Sequence, residues 1–204
     1  MSILTRLASF FAPQRIADRK SLKGFMESRA AYLVQKSIME YSQARANMLF
    51  STLLSEKLFL DAYERSRWHS YPAALSMVTE TVEGYLRETE GIESSALDIH
   101  LVEIGREILA PFPVPAGEGV AFWDAALDHL RRDLAQAALG APKPVRNIPF
   151  HRASEIFEVL PVSDQIKRHD FDMFQNTLRF HLTEIRVEFE EKADAAAVVR
   201  SLTA

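Results

Sequence analysis

The chain has 204 residues, 48% of them hydrophobic and 25% charged, with a formal net charge of −4. That balance excludes a disordered chain, and the acidic total excludes broad nucleic-acid binding, which needs a basic face to displace counterions. The lack of Cys excludes disulfides, thiolate metal sites and cysteine catalysis.

Residues 1–20 read as an amphipathic and basic segment. Ile3, Leu4, Leu7, Phe10 and Phe11 share one helical face, Arg6 lies off it, and Arg15, Arg19, Lys20 and Lys23 follow. Such a segment is expected to dock on its own domain or on a second subunit, with peripheral contact to an anionic membrane as the alternative. It is too short and too interrupted to span a bilayer and lacks a cleavage site, so a cytoplasmic protein is expected.

A long helix is predicted from about Ser21 to Phe50, turning Met26, Ala30, Leu33, Tyr41, Ala44 and Met48 to one side. A second runs from Ser55, as N-cap, to Trp68, with Leu58, Phe59, Ala62 and Tyr63 inward. Pro72 suits the first turn of a third, in which Leu75, Val78, Val82, Tyr85 and Leu86 form the apolar stripe and Glu80 and Glu83 lie outside it. A fourth is opened by Ser94 or Ser95, carries Leu97, Leu101, Ile104 and Ile108, and stops at Pro111. The Trp123, Leu127, Leu130 and Leu134 stripe makes a fifth, ended by Gly140. Phe171, Phe174, Leu178, Leu182, Ile185 and Phe189 make a sixth, although Ile185 to Phe189 also alternates as a minor strand would. A short helix from Ala195 to Leu202 closes the series. Residues 111–115 and 142–149 are Pro-rich connectors. The expected fold is all-α: an irregular bundle of six to eight helices forming a single domain over residues 21–204.

Signatures of chemistry are sparse. No His-Glu-x-x-His or Glu-x-x-His spacing occurs, so no metal site and no cofactor are expected. The adjacent His169 and Asp170 resemble two residues of the constellation found in all-α metal-dependent phosphohydrolases. The pair has a polar flank, however, and Asp170 or Asp172 as a helix N-cap accounts for it; nothing is carried over. Nucleophile elbows and phosphate-cradling glycine loops are missing. His181 reads as a core-edge residue with one nitrogen hydrogen-bonded. Lys143, Arg146, His151 and Arg152 read as a solvated linker rather than an anion-binding loop.

The most distinctive cluster is Arg65, Arg67, Trp68, His69 and Tyr71, where arginines alternate with rings. It is a candidate ligand- or partner-binding site; alternatively, Trp68 and Tyr71 plug the core at a corner between two helices. The leading expectation is a non-enzymatic interaction module that self-associates as a homo-oligomer. A small-molecule or lipid-binding protein with a Phe-lined cavity comes second, and a hydrolase with an unmarked active site third.

Overall fold

The computed structural model describes residues 15–46, 49–90 and 94–203. The apolar face at Ile3, Leu4, Leu7, Phe10 and Phe11 lies outside them, as does Met48. The described helices are α1 (Arg19–Ala46), α2 (Phe50–Leu53), α3 (Lys57–Glu90), α4 (Ser94–Leu109), α5 (Phe122–Ala138), a 3-10 turn (Val145–Phe150), α6 (Ala153–Glu158), α7 (Asp164–Lys167), α8 (Phe171–Lys192) and α9 (Ala195–Thr203). The fold is all-α. No described helix is long and apolar enough to cross a membrane.

The bundle is built around α3, which touches α1, α4, α5, α6, α8, α9 and the 3-10 turn. This explains two departures from the sequence reading. First, α3 is one helix of 34 residues with Pro72 inside it, not two helices meeting at a corner. Pro72 cannot donate to the carbonyl of Trp68, but losing one bond does not end a helix held by packing along its length. Second, Glu80 and Glu83 do not face solvent; they are 3% and 1% exposed. A helix surrounded by neighbours has no polar side, so its charges need partners within the protein. Glu80 receives Lys143 at 2.6 Å and Glu83 receives Arg87 at 2.9 Å. Leu58, placed inward by its spacing, is exposed because only the later part of α3 is enclosed.

The other stripes follow their periodicity except at Ala44, which is exposed in the last turn of α1, where Arg45 is the residue turned to α8. Leu33, Leu86, Leu101, Leu134, Phe174 and Phe189 are among the fully buried side chains. Residues 185–189 are helical: Ile185 and Phe189 face the core four residues apart, while Val187 faces out. Gly105 lets α4 and α5 approach, since a Cβ there would lie 2.5 Å from a Leu130 methyl. The start and end of the described chain are joined. Ile16 N donates to the Lys192 carbonyl at 2.9 Å, and Asp194 N donates to the Ile16 carbonyl at 2.8 Å.

Three polar clusters tie elements together. Asp170 precedes α8 but caps nothing with its side chain. Its carboxylate instead accepts from Tyr41 at 2.7 Å and Arg45 at 2.5 Å, fastening α8 to α1. Burial and the bond to Asp170 push the Tyr41 phenol up to about 12. His181 is engaged at both nitrogens, by Glu40 at 2.8 Å and Glu184 at 3.0 Å. The connector after α5 is not a solvated linker. Arg152 donates in bidentate fashion to Asp133 at 2.8 and 2.7 Å, meets His129 at 3.1 Å and bonds Glu155, while Ser76 donates to the same Asp133. Burial opposes ionisation of Asp133, but hydrogen bonds from His151, Arg152 and Ser76 overcome it and hold the carboxyl well below the usual range.

Candidate functional site

The middle of α3 brings rings and arginines to the surface beside α1. Trp68 stands as a partition with a groove on each side. The first, of about 420 Å³, lies between α1 and α3 and is lined by Gly24, Glu27, Ser28, Ala31, Val34 and Gln35 opposite Arg67, Trp68, Tyr71 and Phe112. The second, of about 460 Å³, is lined by Asp61, Glu64, Arg65, Trp68 and His69 against the connector at Pro113, Val114, Pro115 and Ala116.

The first groove has a local cause. Residues three and four apart share a helix face, so Gly24, Ser28, Ala31 and Gln35 form a row along α1. Three of the four are small, and this wall stays recessed where the buried stripe of Met26, Ala30 and Leu33 does not reach. An added Cβ on Gly24 would meet nothing within 4 Å. The facing wall is aromatic. Trp68 packs edge-on against Phe112 and Trp123, at centroid distances of 5.3 and 6.2 Å, and Tyr71 packs on Phe112 at 5.6 Å. Trp123 Nε1 donates to the Phe112 carbonyl at 3.1 Å, fixing the connector that carries Phe112.

The polar groups differ between the grooves. In the first, the Arg67 guanidinium lies 4.9 Å over the Trp68 ring and pairs with Glu64 at 3.0 Å. Tyr71 is 5% exposed, and its phenol oxygen is buried with no hydrogen-bond partner among the described residues. Burial, reinforced by the Glu27 carboxylate, pushes this phenol well above the ordinary tyrosine range. Tyr71 is therefore a neutral phenol whose donor is unused among the described residues. In the second groove, His69 Nε2 lies 3.4 Å from Glu118 and its ring 5.7 Å from Phe122.

The five residues singled out by composition are thus divided. Arg67 and Tyr71 belong to the first groove, Arg65 and His69 to the second, and Trp68 to both. Trp68 is half-buried, a wall rather than a core plug, because no helix corner forms at this point. The opposite wall, Gly24 to Gln35, escaped the sequence reading. Its signal was available as a row of small residues beside the apolar stripe of α1.

Among the described residues, no group of three or more His, Asp or Glu side chains is placed to hold a metal ion. No protein family, curated protein or solved structure matches the chain.

Proposed function

We propose that this protein binds a planar, largely apolar small molecule in the α1–α3 groove, with a carbonyl or hydroxyl group accepting from Tyr71 once a small shift of the ring uncovers its oxygen. The observation that carries the reading is the Tyr71 phenol: buried, neutral, without a partner among the described residues, and part of an aromatic wall. A buried hydroxyl left without a partner costs about 1–3 kcal/mol, which a ligand acceptor removes. The volume falls within the ~300–1,000 Å³ of small-molecule sites, and such sites combine apolar walls with a few polar groups. Arg67 and Glu27 carry opposite charges at the rim, which favours a neutral ligand over an ion.

The chain has only two Trp, and both belong to this aromatic cluster. Their emission therefore reports on the groove. The naphthyl ketone prodan is a neutral planar probe of the required chemistry. It should quench tryptophan emission saturably with a Kd in the micromolar range. Ala31→Phe fills the groove from an exposed position, and should weaken binding at least tenfold without lowering the melting temperature. Lack of saturation up to about 100 µM, near −5.5 kcal/mol, refutes the reading, as does binding untouched by Ala31→Phe.

A further inference from the structure

The α1–α3 groove holds a second unused polar group, and this one is an acceptor. Glu27 lines the groove from the α1 side, half-buried, across from Tyr71. Every other buried or half-buried carboxylate among the described residues has a partner, from Asp194 with Arg15 to Glu188 with Arg29. Glu27 has neither a hydrogen bond nor an ion pair among them. The cause is local. One turn to either side on its helix face stand Lys23, which is drawn to Glu107 at 3.8 Å, and Ala31, which has no charge to offer. Across the groove, Arg67 is held by Glu64. Tyr71 and Glu27 thus adjoin one space without bonding each other, and the carboxylate is close enough for its charge to bear on the phenol.

We infer that the ligand of this groove is a neutral planar lactam, whose ring N–H is accepted by Glu27 and whose adjacent carbonyl accepts from Tyr71. This rests on the small-molecule reading above and narrows it to one chemical class. A donor and an acceptor that stand unused at one edge of an aromatic slot call for a ligand edge with the opposite pair side by side. A cyclic amide holds that pair rigidly on a flat ring, so no rotor has to be ordered on binding. Its N–H meets a carboxylate, a charge-assisted bond roughly twice as strong as a neutral one. Its carbonyl takes the phenol after the same small shift of the Tyr71 ring. The rest of the ring lies against Trp68 and Phe112. Ionic ligands fit less well. An anion would face Glu27, whereas a cationic amine would face Arg67 and bring no acceptor to Tyr71.

Titration calorimetry with 2-quinolone and N-methyl-2-quinolone tests the inference on the native protein. The two probes share the ring and the carbonyl, and only the first has the donor. 2-Quinolone should bind about tenfold tighter, the effect of one hydrogen bond to a charged group. Glu27 has no partner to lose, so Glu27→Ala should keep the native melting temperature while bringing the two probes level. Tyr71→Phe should weaken both by a similar factor, because both keep the carbonyl. Prodan has an acceptor and no donor, so its affinity should be the same in Glu27→Ala as in the native protein. These probes separate the inference from the reading beneath it. If prodan binds and the two quinolones bind equally, the lactam is overturned and the small-molecule reading stands. If neither prodan nor 2-quinolone binds, both fall together. A gap between the quinolones that survives Glu27→Ala also overturns the inference, since the methyl group then clashes elsewhere. So does tighter binding of 2-aminoquinoline, which offers donors and no carbonyl.

Discussion

The two halves of α3 handle buried polar groups in opposite ways. From Ser76 onward, each of these polar side chains reaches a partner within the protein, though Glu80 Oε2 itself has none among the described residues. Thr79 and Thr81 donate back to the carbonyls of Leu75 and Met77 at 2.7 and 2.8 Å, Ser76 reaches Asp133, and Glu80 and Glu83 hold Lys143 and Arg87. Before Pro72, Ser66, Ser70 and Tyr71 are buried with hydroxyls that have no partner among the described residues. The first arrangement clamps the α5–α6 connector onto the bundle. The second leaves Tyr71, the one of the three that lines a groove, with its donor unused. Within one helix, the polar groups that hold the fold reach partners inside it, whereas the unpartnered Tyr71 phenol belongs to the candidate site.

The largest effect should come from breaking the clamp. Asp133→Ala leaves the Arg152 guanidinium buried without its bidentate partner, and loss of about 3–5 kcal/mol is expected in urea denaturation. Trp68→Ala in the groove half should cost less, about 1–2 kcal/mol, because a half-buried ring leaves no closed cavity. Equal losses, or the reverse order, would erase the distinction between the halves.

How far the sequence discloses this contrast depends on distance along the chain. The apolar stripes are legible because a helix repeats every 3.6 residues whatever it packs against. The polar pairing is not. Glu80 looks like a solvent residue until Lys143 is brought over it, and Asp133 until Arg152 and Ser76 converge. Pro72 misleads for a similar reason, since local rules place it at a helix start while neighbours on every side keep α3 continuous. At the candidate site, the aromatic wall is visible as a compact cluster from Arg65 to Tyr71. The wall facing it consists of small residues on α1, and its meaning emerges only when the two helices are set together.

A smaller effect, of the opposite sign, should follow from Tyr71→Phe. Removing an unpartnered buried hydroxyl should leave stability unchanged or raise it by up to about 1 kcal/mol, whereas prodan affinity falls severalfold. A loss of more than about 1 kcal/mol would mean that the phenol already has a partner.

The mildest test is pH. Asp133 has a depressed folded pKa, so its contribution is present above the unfolded value near 3.9 and is lost as pH falls through the folded one. Tyr41 behaves in the opposite sense. Its folded pKa is raised to about 12, so its contribution is present below the unfolded value near 10 and is lost as pH rises toward 12. Denaturation midpoints should therefore fall below pH 4 in the native protein and be flatter there in Asp133→Asn. Between pH 10 and 12, Tyr41→Phe should flatten the decline. Parallel curves for the variants and the native protein would separate these groups from the acid and alkaline limits.

The pairing of Ile16 with Lys192 and Asp194 bears on how the molecule is made. During synthesis α1 leaves the ribosome well before α8 and α9, which cover part of it. Closing a loop of this span must precede the final docking of the bundle, and such distant contacts slow folding. Until then the apolar side of α1 is covered only by its earlier-made neighbours, α2, α3 and α4. Because the start of the described chain lies against the junction of α8 and α9, a linker running back along α9 to residue 15 would permit circular permutation. Synthesis could then begin at another loop and bring α8, α9 and α1 out in succession.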